Sequence, residues 1–408
     1  MLEHEIYSSI SNSTSLVFSG GELKTKEIDS SSGHGVRVLH DEKVGFSYCQ
    51  NDSDIKKTLE KAKTASKFSV KSKFSFAPKS NFNNLNIFDK SINPQDFNEL
   101  MEFVDCARSS AETHGGKSRV ICSSEIESVK IENTNDFFGE YKKSVFSIYS
   151  ECMYDDGFGF AYSSSINKPN LQKVSEVGMK AANMAKNMRG AKKPEPGNYL
   201  LVVNTEALDG ILDPLLSSFS GDWKRRGITK ISKTRMFSDV LSIFEDGTTL
   251  APEARPFDDE GVCSRKNSLV ENGEVRSFLY DRETAALSNV DNSGFCSRSS
   301  YSSSPGIGSS TIIVDKGKCK DLVELGKHIE LISAHGSHTA NLTSGDIGLE
   351  VSNAFLVGNG ERKPIKGFMI STNLFDLFAN IKAIEAKQNI HGSLIAPRIA
   401  FKDVKVIS

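Results

Sequence analysis

A segment of eight residues, rich in proline and glycine, divides this chain of 408 residues into two parts. The segment runs from Gly190 to Gly197 and reads Gly-Ala-Lys-Lys-Pro-Glu-Pro-Gly. Its prolines lack the N–H group that a continuing helix would use, and such linkers are extended and semi-rigid. We therefore predict an N-terminal domain at residues 1–189, a linker at 190–197 and a C-terminal domain at 198–408.

The N-terminal part mixes the patterns of strands and helices. Strand patterns at Thr14–Phe18 and Glu22–Ile28 flank Gly20-Gly21, and Asp41-Glu42 is predicted to be the turn of a second hairpin. Alternation of apolar and polar residues within 119–163 predicts a meander of three or four strands. Three segments have the periodicity of amphipathic helices, namely residues 54–66, 94–113 and 171–188. Together these patterns predict an α+β domain.

Strand patterns dominate the C-terminal part. Asn272-Gly273 and Gly358-Asn359-Gly360 are predicted hairpin turns between apolar runs, and residues 395–406 are a predicted final strand pair. Helices are predicted only at Glu206–Ser218 and Leu374–Ile384. The second domain is therefore expected to be rich in β-structure.

The composition argues against several classes of protein. A net charge of -2 gives no electrostatic reason to expect a nucleic-acid partner. The apolar runs, such as Tyr199–Val203, are far shorter than the ~20 residues of a membrane span, and the N-terminus lacks the basic and apolar regions of a signal peptide. The seven cysteines are scattered and contain no C-x-x-C pair, which is typical of reduced cytosolic thiols. We expect a cytoplasmic protein without a membrane or nucleic-acid partner.

Several segments, which extend over nearly the whole chain, are informative in their shared order and spacing: Gly35–Val38, Val44–Phe46, Gly190–Gly197, Arg255–Gly261, Glu271–Gly273, Ser277–Arg282, His338–Asn341, Gly345-Asp346 and Asn373–Phe378. Together these segments resemble the TldD/PmbA family. PmbA is also called TldE, and the family is described as metallopeptidases and as modulators of DNA gyrase.

The resemblance implies a mixed α+β N-terminal portion followed by a β-rich, barrel-like C-terminal domain. It implies that the second domain holds the active-site cavity and the dimer contacts. It also implies a heterodimer, in which a TldD-type subunit binds zinc and a TldE/PmbA-type subunit does not. In the catalytic type, two histidines of a His-Glu-x-x-x-His motif and a cysteine hold the zinc, and the glutamate is the general base.

This chain departs from the catalytic pattern at each of those positions. When the motif is aligned from Gly221-Asp222, Leu212 and Ser217 occupy the histidine positions and Asp213 the glutamate position. Leucine cannot coordinate zinc, and a serine hydroxyl is a poor ligand beside imidazole. The family's cysteine would fall within 391–397, where the chain has none. We therefore predict no catalytic residue and no metal in this chain, with zinc expected only in a catalytic TldD-type partner.

Other residues remain as candidates for binding. His338, Thr339 and Asn341 belong to a segment that matches the family, and we predict that they line the cavity or contact substrate. A metal pair of His335 and His338 is the weaker hypothesis, because no third ligand lies nearby in sequence. The basic run 224–226 after Trp223 is interpreted either as solvated surface or as a contact with a partner or an acidic peptide.

The sequence favours a non-catalytic, TldE/PmbA-like subunit of a zinc metallopeptidase complex that degrades or processes peptides and unfolded segments. The family itself is one of hydrolases, so the chain could still belong to an enzyme without carrying its active site. The alternative is a stand-alone homodimeric binding or regulatory protein without peptidase activity.

Overall fold

A computed structural model gives the structure of residues 2–291 and 294–407. The N-terminal part forms an antiparallel sheet of six strands in the order β3-β2-β1-β4-β5-β6. Its elements are β1 (Glu3–Ser19), β2 (Glu22–His40), β3 (Lys43–Cys49), α1 (Ile55–Ser66), α2 (Phe97–Ala111), β4 (Lys117–Asn133), β5 (Phe138–Tyr154), β6 (Gly157–Ser165) and α3 (Leu171–Asn187).

The helices cover one face of this sheet because alternate strand residues point to that face. Leu16, Val120 and Ile148 from three neighbouring strands are buried there against apolar residues of α2 and α3, including Phe103 and Ala181. The side chains of Asp96 and Asn170 accept hydrogen bonds from the Glu99 and Lys173 backbone amides and so cap the N-terminal ends of α2 and α3.

The first hairpin is much longer than its apolar pattern indicates. The apolar pattern predicts strands at Thr14–Phe18 and Glu22–Ile28, but β1 and β2 pair from Glu3↔Leu39 to Ser19↔Glu22, with one shift of register between Val17 and Phe18. Most of the added length is polar and rich in serine, so it lacks an apolar pattern. It is extended because β1 also pairs along its length with β4, which supplies hydrogen bonds on its other edge. The expected meander is therefore part of a larger sheet.

The C-terminal part contains a closed barrel of five strands. β7, β14, β15, β17 and β19 pair in that order, and β19 pairs back with β7. The elements are β7 (Gly197–Val203), α4 (Thr205–Ser217), α5 (Gly221–Arg225), β8 (Ile243–Asp246), β9 (Lys266–Glu271), β10 (Glu274–Val275), α6 (Arg282–Ser288), β11 (Cys296–Ser297), β12 (Gly306–Ile307), β13 (Ile312–Val314), β14 (His328–His335), β15 (Asp346–Gly358), β16 (Glu361–Ile365), β17 (Phe368–Asn373), α7 (Leu374–Ala379), β18 (Ile381–His391) and β19 (Leu394–Ile407). The α+β class and the β-rich second part are confirmed.

Turn chemistry at three hairpins agrees with the sequence. Asp41-Glu42, Asn272-Gly273 and Asn359-Gly360 each place two consecutive residues at positive φ, the backbone geometry of tight hairpin turns.

One helix prediction is wrong at its end: α7 stops at Ala379, and residues 381–391 form β18. The predicted final strand pair is instead one strand, β19, whose hairpin partner is β18. Pairing with β19 overrides the short helical pattern there.

The segment at 190–197 runs along the edge of the barrel region. The Lys192 carbonyl accepts a hydrogen bond from the Lys366 N–H at 3.1 Å, and Gly190, at positive φ, donates its N–H to the Asp156 carboxylate. The domain limits at this segment stay a prediction. Within the described residues, no helix is long and apolar enough to cross a bilayer.

Candidate functional site

Helix α4 carries the positions that correspond to the zinc motif, and it begins directly after barrel strand β7. The Asn204 side chain caps it by accepting a hydrogen bond from the Ala207 N–H at 3.0 Å. Its apolar side, including Leu208, Ile211 and Leu215, packs into the core of the C-terminal part. Pro214 lies inside the helix, so the turn at the motif lacks one backbone donor.

The side chains at the three motif positions, Leu212, Asp213 and Ser217, do not converge on one site. Leu212 is 1% exposed and belongs to the hydrophobic core, whereas Asp213 and Ser217 are exposed. Asp213 and Ser217 line a cleft of about 330 Å³ together with Trp223 and Gly308. The reason is helical geometry: residues four apart share a face, whereas residues five apart lie about 140° apart. The sequence motif therefore contributes one carboxylate and one hydroxyl to the cleft.

The segment expected to hold the third ligand is the β18–β19 hairpin, with its turn at Gly392. Ala396 is fully buried there, and its carbonyl accepts the Thr205 hydroxyl at 3.0 Å, which fastens β19 to the start of α4. His391 faces a second cleft, of about 340 Å³, together with Asp209 and Glu253. The hairpin thus lies beside α4 but brings no thiol to it.

Asp209, which lines the second cleft, lies one helical turn before Asp213, which lines the first, so the two clefts are neighbours along α4. Burial raises the pKa of the Asp209 carboxyl above its ordinary value, the charge of His391 opposes that rise, and the charge of Asp213 adds to it. The face of α4 between the two clefts is therefore acidic, and the carboxyl groups of Asp209 and Asp213 on it influence each other's charge.

His338, Thr339 and Asn341 lie on an exposed loop after β14, in and beside the short 3₁₀ turn Ser337–Thr339. The Thr339 hydroxyl donates to the Gly336 carbonyl at 2.7 Å. The Asn341 side-chain oxygen accepts from the Thr343 and Ser344 amides at 3.1 and 3.0 Å. Two of these side chains therefore shape the loop, and none of the three is among the residues that line either cleft. A role in substrate contact stays a prediction.

A buried ionic cluster joins the N-terminal sheet to the C-terminal part, and sequence reasoning missed it. We define it as Glu5, Arg37, Asp258, Glu260 and Arg298. Arg37, 2% exposed, donates two hydrogen bonds of 2.9 Å to the Glu5 carboxylate and a third to Glu260. Arg298 donates to the same Glu5 carboxylate at 2.6 Å. Burial alone would raise the pKa of Glu5, but the two guanidinium groups outweigh it and lower that pKa.

Asp258, Glu260 and Cys296 are the one group of three possible metal-ligating side chains, within the residues the structure describes, whose ligand atoms lie within 4.8 Å of one another. Their oxygens are already engaged. Asp258 accepts hydrogen bonds from the backbone amides of Glu260, Val262 and Cys296 at 3.0, 2.8 and 3.1 Å. Glu260 accepts from Arg37 and from the Arg282 amide. Burial also raises the pKa of the Cys296 thiol, so the group suits a structural role better than metal binding.

One sequence signal could have pointed to the cluster. Asp258, Asp259 and Glu260 are three consecutive acids that follow Arg255, Pro256 and Phe257 and precede Gly261. Such a run is usually exposed, and its burial here is compensated by backbone amides at Asp258 and by Arg37, from a distant strand, at Glu260. The pairing with Arg37 cannot be read from local pattern.

Raising the pH from about 4 to about 8 is expected to lower the free energy of unfolding through Asp258. Burial, together with the charge of Glu260, raises the pKa of this carboxyl from 3.8 to about 8. Folding therefore takes up a proton in this window, and stability falls as the pH rises, by up to about 1.4 kcal/mol per pH unit. Urea unfolding across the window measures this slope. Asp258→Asn cannot titrate and should have a smaller slope; an unchanged slope would assign the effect to other groups.

Comparison with known proteins places this architecture within a class of metallopeptidase-like proteins. The PmbA/TldA metallopeptidase C-terminal domain matches residues 196–408, and PmbA/TldA metallopeptidase domain 1 matches residues 4–66. The first match alone covers more than half of the chain. The chain therefore belongs to the TldD/PmbA family, and the resemblance in its sequence segments is confirmed.

Two relatives illustrate the range of similarity. The uncharacterized protein MJ0231 of Methanocaldococcus jannaschii is 28% identical over 401 residues, covering 93% of this chain and 92% of that protein. A metalloprotease TldD homolog of Haemophilus influenzae is 23% identical over 417 residues, covering 95% of this chain and 86% of that protein. The similarity to both extends across nearly the full length.

Solved structures share the fold at lower identity. TldE from Thermococcus kodakarensis aligns with a TM-score of 0.89 at 20% identity, covering 100% of this chain and 97% of that chain. The Thermotoga maritima protein TM0727, described as a candidate modulator of a DNA gyrase, aligns with a TM-score of 0.91 at 21% identity, covering 99% and 96%. These similarities concern the fold alone.

Proposed function

We propose that this chain is a non-catalytic, TldE/PmbA-type subunit of a zinc metallopeptidase complex that degrades or processes peptides and unfolded segments. One observation carries the non-catalytic part of the proposal. At the positions of the family's zinc motif, Leu212 is buried in the core, and only Asp213 and Ser217 reach the cleft that Trp223 and Gly308 also line.

The donor set of this cleft does not fit a catalytic zinc ion. Catalytic zinc sites use three protein ligands, chosen from histidine, cysteine and carboxylate, and keep one position for water. The cleft residues from the motif supply one carboxylate and one weakly ligating hydroxyl. The hairpin beside α4 has buried Ala396 near the place expected for the cysteine, and its His391 lines the other cleft. We therefore assign no reaction step to this chain.

The role that remains is to shape a peptide chamber and to stabilise a catalytic partner. The chain offers long strands and two clefts on the same side of α4, and extended peptides are commonly bound along sheets through their backbones. We propose a TldD-type chain as the partner in a heterodimer, with self-association as the state adopted without it. Zinc and the general base would come from that partner.

The alternative is a stand-alone homodimeric binding protein. The loss of the motif residues fits it equally well, so the discriminating observation is the partner. Sedimentation equilibrium at micromolar concentration, with and without a TldD-type chain from the same genome, separates the two hypotheses. A mixed dimer supports the proposal, whereas a homodimer that excludes the other chain supports the alternative.

The isolated chain is expected to contain no stoichiometric zinc and to hydrolyse no peptide. The reason is that imidazole and thiolate are missing from its motif positions. The measurement is metal analysis of protein purified without chelator, together with cleavage of a flexible fluorogenic peptide. A TldD-type chain, alone and mixed with this one, is the control, and the mixture should be the more active. About one zinc per chain, with turnover abolished by chelation, would falsify the proposal.

A further inference from the structure

On part of one face of the N-terminal sheet, the residues that the structure describes place no packed helix or strand. Helices pack on the opposite face, and the ionic cluster end, with Glu5 and Tyr7, is buried against the C-terminal part. Beyond that end, alternate residues of β1, β4 and β5 are only half-buried and mostly polar. We call this the open sheet face; it includes Ser11, Ser13, Ser15, Ser123, Val145 and Ser147. Central strands with a half-exposed face are suited to a contact outside the chain.

Aromatic rings line the β5–β6 side of the open sheet face. Phe158, Phe160 and Tyr162 are alternate residues of β6, the edge strand, and they point to the same side. The ring centres of Phe158 and Phe160 lie 6.3 Å apart, and Tyr149 of β5 lies 6.1 Å from Phe160. Tyr162 is 37% exposed and lies 5.4 Å from the His391 ring. We call these four side chains, Tyr149 included, the aromatic strip.

The cleft between the open sheet face and α4 is acidic. Its lining contains four carboxylates, Glu125, Glu127, Asp209 and Glu253, against a single lysine, Lys143. Lys143 pairs with Glu127 at 3.3 Å, and His391 is the one other basic side chain of the lining, so carboxylates outnumber basic groups there. Asp209 and Glu253 are both solvent-accessible, although the surrounding protein partly desolvates the Asp209 carboxyl. Tyr162 borders the same cleft, so the aromatic strip and the carboxylates form one continuous surface.

We propose that this surface binds an extended, basic segment of polypeptide, with lysine or arginine side chains on the aromatic strip and near the carboxylates. Ammonium and guanidinium groups are attracted both to aromatic faces and to carboxylates. The serine hydroxyls of the open sheet face can pair with the peptide backbone. An acidic lining disfavours nucleic acid and acidic peptides. The inference rests on the proposed role as a peptide-chamber subunit and names the class of its substrate.

The position of Asp209 links this surface to the family's reaction site. Asp209 is one helical turn from Asp213, which lines the neighbouring cleft at the motif position. A peptide that binds as a strand along the acidic cleft would therefore extend along α4 toward Asp213, at the position of the family's zinc motif. The basic segment would be held by this chain while its continuation reaches the partner.

The test measures binding of two fluorescein-labelled peptides of about ten residues, the length of a long strand, to the purified full chain. One peptide alternates lysine with serine, and the other alternates glutamate with serine. Fluorescence anisotropy is recorded at low and at high salt. The lysine peptide is expected to bind at least about tenfold more tightly at low salt, with the preference reduced at high salt.

Two variants test the location. Asp209→Asn with Glu253→Gln removes two exposed charges of the cleft and should weaken binding of the lysine peptide about tenfold. The matched control, Glu102→Gln with Glu176→Gln, removes two exposed charges from α2 and α3 on the opposite side of the sheet and should leave binding unchanged. Tyr162→Ala should weaken binding about threefold.

Equal affinity for the two peptides, or an unchanged affinity in the Asp209/Glu253 variant, would overturn the inference. That outcome is distinct from failure of the proposed function, which is decided by zinc content and turnover. A chain that binds zinc and cleaves peptides could still prefer the lysine peptide, and a zinc-free chain could lack that preference.

Discussion

Arg37→Met is expected to lower the free energy of unfolding by about 3–5 kcal/mol, because it breaks a buried ion pair from one side. Arg37 is 2% exposed and bridges Glu5 of β1 and Glu260 of the C-terminal part. Methionine keeps most of the side-chain length but leaves the Glu5 and Glu260 carboxylates without this partner. Arg298 still pairs with Glu5, so Glu260 bears the larger loss.

Urea unfolding of the Arg37→Met variant measures the effect. The matched control is Arg225→Met, which removes an exposed pair with Asp222 at 2.7 Å and should change stability by no more than about 1 kcal/mol. Similar small losses in both variants would mean that the ionic cluster contributes little to stability. Because the cluster joins the two parts of the chain, we also expect the Arg37 variant to unfold in a broader transition.

Restoring the zinc ligands is expected to fail. The variant would combine Leu212→His, Asp213→Glu, Ser217→His and Ala396→Cys. Leu212 is 1% exposed within the C-terminal core and Ala396 is fully buried, so two of the new ligands replace close-packed apolar side chains. Replacing a buried leucine by a polar residue removes apolar contacts and buries a group without a partner, which together lower stability by about 3–5 kcal/mol. The new imidazole would also point away from the cleft.

The measurement is zinc content and peptide turnover of the fourfold variant, with its unfolding curve. The control combines Asp213→Glu and Ser217→His alone, which changes only exposed cleft residues and should unfold like the parent chain. Neither variant should match the turnover of an intact family complex. Turnover at that level in the fourfold variant would show that the site needs only its ligands, and the picture of a remodelled α4 would be wrong.

Local patterns in the sequence were sufficient for elements whose cause is local. The Asn272-Gly273 turn follows from two residues that tolerate positive φ, and α2 and α3 follow from apolar periodicity. The loss of the zinc ligands is likewise a matter of residue identity. Leu212 and Ser217 lack suitable ligand atoms wherever they lie.

Patterns failed where the cause is not local. The serine-rich lengths of β1 and β2 are strands because neighbouring strands take their hydrogen bonds, and β18 is a strand because β19 pairs with it. Helical periodicity at 374–384 could not reveal that partner. Motif spacing places Leu212 and Ser217 on different faces of a helix, but it does not show that the Leu212 face is the buried one.

The sequence by itself determined the family, the α+β class and the absence of a complete zinc motif, because these depend on which residues occur and in what order. Only the tertiary structure decided which side chains meet. It buried Arg37 between Glu5 and Glu260, although Arg37 and Glu260 are 223 residues apart in the chain. It also brought Asp209 of α4 and Glu125 of the sheet into the lining of one acidic cleft. Those contacts come from the packing of distant segments, whose free energy depends on burial and pairing in three dimensions and leaves no local pattern.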